Sequence, residues 1–127
     1  MNQNVVGWFE IPVNDLDRAQ KFYEKVLGLK ISKQDLGPLQ MAWFPSAEDG
    51  MGSPGSIVCM KEYYTPSPDG VLVYFTSPSG DVDKELARVE KAGGKILRPK
   101  TQISEENGYY GLLLDTEGNR IAIHSRD

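Results

Sequence analysis

Asp15-Leu16-Asp17-Arg18-Ala19-Gln20-Lys21-Phe22-Tyr23-Glu24-Lys25-Val26-Leu27-Gly28-Leu29-Lys30-Ile31 returns, loosely, as Asp81-Val82-Asp83-Lys84-Glu85-Leu86-Ala87-Arg88-Val89-Glu90-Lys91-Ala92-Gly93-Gly94-Lys95-Ile96. Each copy opens on a carboxylate that can cap a helix and closes on glycine, the usual residue just past a helix end. In the first copy Leu16, Ala19, Phe22, Tyr23, Val26 and Leu27 recur at spacings of three and four, one apolar helical stripe. Val82, Leu86 and Val89 form the stripe of the second. The spacing predicts helices over about Asp15–Leu27 and Asp81–Ala92. Their opposite faces are charged, as solvated surface would be.

Working outward, the remaining segments read as short strands rich in Val, Ile and aromatic residues and bounded by turn residues. They are Val5–Pro12, Leu29–Gln34, Leu39–Phe44, Ser56–Met60, Val71–Thr76, Lys95–Arg98, Tyr109–Leu114 and Arg120–His124. Asp115-Thr116-Glu117-Gly118-Asn119 is a strong turn signal that joins the last two as a hairpin. Ser46–Gly55 reads as a loop, with Asp49-Gly50-Met51-Gly52 at its tip as a candidate lid, and Tyr63–Gly70 as a connector. The order is strand, helix, three strands, twice over: an internal repeat of about half the chain. Residues 1–127 are read as one α+β domain, with module one about 1–62, a linker over 63–70 and module two about 71–127.

Bulk properties exclude several classes. The 127 residues suit one domain that buries roughly two-thirds of its unfolded surface. No apolar run approaches the ~18 residues of a membrane helix. The net charge is −4 and the pI about 5.0, opposite to the usual balance of a nucleic-acid binder. Met1-Asn2-Gln3-Asn4 has neither a basic nor an apolar leader region, and the single cysteine, Cys59, permits no internal disulfide. A cytoplasmic setting is the expectation. With one histidine and one cysteine, a structural zinc site is not expected. An all-carboxylate site stays open, since Asp and Glu total 18.

The residues Asp15-Leu16-Asp17-Arg18-Ala19, Phe22-Tyr23, Val26-Leu27-Gly28, Asp81-Val82-Asp83, Ala92-Gly93-Gly94-Lys95 and Asp115-Thr116-Glu117-Gly118-Asn119-Arg120-Ile121 carry a resemblance. Over nearly its whole length the chain resembles the vicinal oxygen chelate superfamily, which includes glyoxalases, bleomycin-resistance proteins and extradiol dioxygenases. The resemblance implies paired βαβββ modules whose strands form a cup around a small-molecule site, helices outside, in a homodimer. Metal-dependent members hold a divalent cation on these strands. The matching positions here are Trp8, seven residues before the helix-opening Asp15; Leu72 or a near neighbour; Ala122, three after Asn119; and a position within Ile57–Met60. None carries an imidazole or carboxylate. A catalytic metal needs about three protein ligands. No metal or other cofactor is therefore expected, with a divalent metal on other carboxylates as the alternative.

Strand alternation predicts what faces the cup. The concave set is Trp8, Glu10, Leu72, Tyr74, Arg120, Ala122 and His124, with Tyr109 and Tyr110 as further ligand-binding candidates. Glu62-Tyr63-Tyr64 flanks the linker. An apolar wall with a few polar groups suits a small molecule, and Trp8 offers a platform for a planar or cationic one. Two readings of Glu10 are open: a structural ion pair with Arg120, or an acid–base group with a raised pKa. His124 fits either a surface or a pocket role, and Cys59 reads as a small core residue rather than a nucleophile. The functional expectation is a metal-free protein that binds a small molecule, resembling bleomycin-resistance proteins. The acidic balance weakly favours a cationic or neutral ligand. The alternative is a glyoxalase-type lyase or isomerase acting on a small carbonyl or thiol-conjugated substrate, with Glu10 as catalytic base. No nucleic-acid or membrane partner is expected.

Overall fold

In the computed structural model, residues 3–127 are described. Met1 and Asn2, part of the stretch read above for a leader, lie outside them. The elements are β1 (Phe9–Pro12), α1 (Leu16–Leu27), β2 (Ser32–Leu36), β3 (Leu39–Trp43), β4 (Gly55–Cys59), β5 (Val73–Thr76), α2 (Val82–Val89), β6 (Lys95–Ser104), β7 (Gly108–Leu114) and β8 (Arg120–Ser125). The order is βαβββ twice, and each half forms one four-stranded mixed sheet. Their strand orders, β1-β4-β3-β2 and β5-β8-β7-β6, are the same when the second half is renumbered. In each, the first strand runs parallel to the last and the other pairings are antiparallel. The α+β architecture of two repeated modules is as expected.

Local chemistry explains the element ends. Asp15 caps α1 by accepting the Arg18 N–H at 3.0 Å, and Asp81 caps α2 through the Asp83 N–H at 3.0 Å. Such a cap contributes about 1 kcal/mol. Gly28 ends α1 in the left-handed region, φ 69°, where a Cβ would clash with the backbone. The predicted stripe of α1 is the buried face observed: Leu16, Ala19, Phe22, Tyr23, Val26 and Leu27. Each large side chain fully buried there stabilises by roughly 1.5–3 kcal/mol.

The strands deviate from expectation mostly at their ends. β1 begins at Phe9, not Val5, and β2 covers Ser32–Leu36 rather than Leu29–Gln34. β6 continues six residues beyond Arg98 to Ser104. Pro99 within it is tolerated because β6 is the sheet edge and its ladder to β7 shifts register between Arg98 and Thr101.

The modules pack helix to helix and share one core. At its centre lie four rings, Phe9 and Phe44 from module one, Tyr23 from α1 and Phe75 from module two. Phe9 and Phe75 sit 5.8 Å apart, Phe44 and Phe75 5.3 Å, Tyr23 and Phe75 5.8 Å. A second join comes from the β7–β8 turn. Glu117 Oε1 accepts the N–H groups of Asn14 (2.9 Å) and Asp15 (3.0 Å), while Oε2 accepts Arg18 Nε at 2.7 Å. Asn119 Nδ2 donates to the Pro12 carbonyl at 2.7 Å, and the buried Tyr23 hydroxyl donates to Asp115 at 2.5 Å. Arg88 of α2 donates to the Val26 carbonyl at 3.0 Å. No helix among the described residues is long and apolar enough to cross a membrane.

Candidate functional site

β1 and β5 are each bonded on one side only, to β4 and β8. Phe9 and Val13 direct their N–H groups to Pro54 and Val58, toward β4. Alternation therefore turns the backbone of Glu10 and Pro12 the other way, and proline's missing donor leaves no bond unmade there. Between these two strands lies a cavity of about 830 Å³. Its wall includes Trp8, Glu10 and Pro12 from the first strand region and Leu72, Tyr74 and Thr76 from the second. Arg120 borders it from β8, Thr65 and Ser67 from the linker, and Met51 and Gly52 from the long loop.

The registers fix which side chains share the concave face. Glu10 lies beside Ser56, which pairs with Trp43 on β3. Trp8 meets Trp43 edge-to-face with centroids 5.7 Å apart. A Cβ on Gly55 would collide with the Phe9 ring, so Ser56, one residue on, points away from the helices with Glu10 and Trp43. In module two, Tyr74 pairs with Ala122, and Arg120 lies opposite Leu114.

Five residues of the predicted concave set border the cavity: Trp8, Glu10, Leu72, Tyr74 and Arg120. Ala122 has the predicted face but is fully buried, and His124, also on that face, is held at its Nε2 by the Asn107 carbonyl at 2.5 Å. Neither borders the cavity. Tyr110 lies beside Tyr74, the ring centroids 6.4 Å apart and the planes tilted by 42°, and does not itself border the cavity. Tyr109 corrects the expectation. Alternation gives it the face opposite to Tyr110, where its ring lies 4.7 Å from Lys100 Nζ. Adjacent tyrosines on a strand point to opposite faces of the sheet, and neither Tyr109 nor Tyr110 lines the cavity. Cys59 lies beyond the cavity, its Sγ 3.6 Å from the Asn14 carbonyl. The loop tip at Met51 and Gly52 does reach the cavity rim.

The ion pair Glu10–Arg120 is not formed. Glu10 instead accepts the Tyr64 hydroxyl at 2.8 Å. That bond to the carboxylate, with some burial, raises the Tyr64 pKa, so the phenol stays a donor. Tyr64 was seen in sequence only as a neighbour of the linker. What ties it to Glu10 is the path of residues 60–72 back across the first strand, which no local pattern encodes.

The repeat also locates the fourth metal-equivalent position. Tyr74 faces Ala122 as Glu10 faces Ser56, so Ser56 is the internal counterpart of Ala122, one residue before the stretch 57–60. The four positions thus carry an indole, a hydroxyl, an isobutyl group and a methyl: Trp8, Ser56, Leu72 and Ala122. Ser56 is fully buried, and its Oγ has no hydrogen-bond partner among the described residues. One neutral hydroxyl is far short of about three ligands for a divalent cation. No group of three or more His, Cys, Asp or Glu among the described residues is arranged to hold a metal ion. These residues do not fit the family's metal.

Comparison with known proteins gives a consistent picture. The model of the glyoxalase/bleomycin resistance protein/dioxygenase superfamily matches residues 5–123. A glyoxylase-like domain-containing protein of Didymella fabae is 27% identical over 124 residues, 95% of this chain and 93% of that protein. Among solved structures, a variant of glyoxalase I from Zea mays superposes with a TM-score of 0.70 at 24% identity, covering 94% of this chain. The chain spans about half of that protein, 45% of its length. An antibiotic-binding protein from a Streptomyces species superposes with a TM-score of 0.67 at 22% identity, covering 100% of this chain and 99% of that one.

Proposed function

The chain belongs to the glyoxalase/bleomycin resistance protein/dioxygenase superfamily, and from that premise we propose that it binds a small, largely apolar molecule without a metal. The observation that carries this reading is the cavity of about 830 Å³ between β1 and β5, a volume suited to a drug-sized ligand. Trp8 and Tyr74 form its aromatic flanks, and both are left substantially exposed, 40% and 52%. Exposed rings on a concave wall gain apolar burial when a planar ligand covers them. The likeness to an antibiotic-binding protein along nearly its full length supports a binding role.

Tryptophan fluorescence is the direct test, because Trp8 and Trp43 both lie on this face. Saturable quenching by flat aromatic compounds, reduced at least tenfold in affinity by Trp8→Ala, is the expected result. Absence of quenching across such a panel would reject the reading. For the metal, protein purified without chelators should carry none at near-stoichiometric level. Treatment with EDTA should leave its melting temperature unchanged.

A catalytic reading has one observation in its favour: Glu10 and Tyr64 place a carboxylate and a phenol together at the cavity wall. A lyase or isomerase would use Glu10 as base, and Glu10→Gln would then abolish hemithioacetal turnover with binding retained. The working form in this proposal is a homodimer in a cytoplasmic setting. Sedimentation at twice the 14.1 kDa chain mass is the expected outcome.

A further inference from the structure

The charge lining the cavity differs from that of the chain. Overall the protein is acidic, −4. In the cavity wall the charged residues are Glu10 and Arg120. Glu10 is engaged, one oxygen accepting the Tyr64 hydroxyl at 2.8 Å. Arg120 is not. Among the described residues, no carboxylate lies within ion-pairing distance of its guanidinium, whereas Arg18, Lys33 and Lys100 each have one.

The backbone that carries Arg120 is held in place. Arg120 follows Asn119, whose side chain donates to the Pro12 carbonyl at 2.7 Å and to buried Asp115 at 2.9 Å. It opens β8 opposite Leu114, on the face of Tyr74 and Ala122. A cation is thus presented from a fixed strand end beside an apolar, aromatic wall. A ligand that covers this wall displaces water from beside the exposed guanidinium, which strengthens its pairing with an anion, and its planar fork suits two oxygens at once.

We propose that the cavity selects a planar aromatic ligand carrying an anionic substituent, such as a carboxylate, sulfonate or phenolate, with Arg120 pairing that group while the ring lies along Trp8 and Tyr74. This rests on the binding function above and names the ligand class for the same site. It reverses the preference for cationic ligands that the chain's net charge suggests, because a contact charge outweighs a diffuse field screened over ~8 Å at physiological salt.

The experiment uses two probes of one shape, anilinonaphthalene sulfonate and its uncharged parent N-phenylnaphthylamine, titrated against tryptophan fluorescence. The uncharged probe is the more apolar, so hydrophobic binding alone favours it. Wild type is expected to bind the sulfonate at least tenfold tighter, with the advantage shrinking as salt is raised. Arg120→Gln should remove that advantage. Arg120→Lys, which keeps the charge but loses the fork, should restore part of it. Near-UV circular dichroism checks that each variant is folded. Equal binding of the two probes to wild type, or a preference that survives Arg120→Gln, would overturn the anion proposal and leave the binding function standing. Failure of both probes to quench would overturn both.

Discussion

Glu117 concentrates more of the fold's electrostatics than any other described carboxylate. Burial by itself would raise its pKa. Hydrogen bonds from Arg18, Thr116 and the backbone of Asp15 and Asn14 outweigh that and hold it at about 2, against an ordinary 4.5. A carboxylate depressed in the folded state stabilises the fold at pH above its unfolded value. That contribution is therefore complete above pH 4.5 and is lost as the pH falls toward 2. Denaturant titrations across this window should show wild type losing stability on acidification, and Glu117→Gln losing distinctly less. At neutral pH the same variant should be less stable by about 1–3 kcal/mol, since two backbone donors and a guanidinium lose a charged acceptor. Ser56 argues in the other direction. Its buried hydroxyl has no partner among the described residues, and such a group is costly to desolvate. Ser56→Ala should leave stability unchanged or raise it by about 1 kcal/mol, read as an equal or higher melting temperature.

Among the elements, β4 shows how a strand can be read correctly and still keep its function hidden. Gly55, at its start, lies on the helix-facing side under Phe9, where an added Cβ would fall 2.2 Å from two ring carbons. Gly55→Ala must push that ring, and Phe9 both fills the aromatic core and borders the cavity. Overpacking of this kind costs about 1–3 kcal/mol. A lowered melting temperature together with weakened probe binding is expected, whereas Gly7→Ala, with open space around it, should change neither. In the sequence, Gly55 was an end-of-loop residue, because the pressure on it comes from β1, 46 positions away. The helices were legible to within a turn because their stripes and caps are local. Trp8, Glu10, Leu72, Tyr74 and Arg120 do border the cavity, but so do Phe9, Ile11, Val73 and Phe75 of the opposite face, because the cavity lies at the unpaired edges of β1 and β5, where alternation alone does not separate wall from core. Alternation gave the right face for His124 and Ala122 but not their distance from the cavity, which depends on where each strand begins to curl away. Tyr109 failed because paired tyrosines were taken as one cluster, against the same alternation. Tyr64 with Glu10, and the reach of Glu117 and Asn119 into the first module, are contacts between distant segments with no local signature.

Across the whole molecule, the decisive relation is between the two modules. Each sheet carries its own helix, and a repeat of this kind invites the expectation of two independent folding units. The join argues otherwise. Phe75 sits among Phe9, Tyr23 and Phe44 in a single core, and the β7–β8 turn bonds the entrance of α1 through Glu117, Asp115 and Asn119. Separating the modules would expose four aromatic rings and leave the Tyr23–Asp115 pair and the Arg18–Glu117 pair unmade at once. A small domain with a continuous core unfolds as one unit. The distribution of tryptophans makes this measurable, because Trp8 and Trp43 both belong to module one, while strands of both modules contribute to the far-ultraviolet signal. Urea titrations followed by the two signals should give one midpoint and one slope. Weakening the join by Glu117→Gln should move both curves together to lower urea. A tryptophan transition that separates from the circular dichroism transition, in wild type or in the variant, would mean that module one unfolds alone, and the cavity between β1 and β5 would then depend on a docking equilibrium rather than on a shared core.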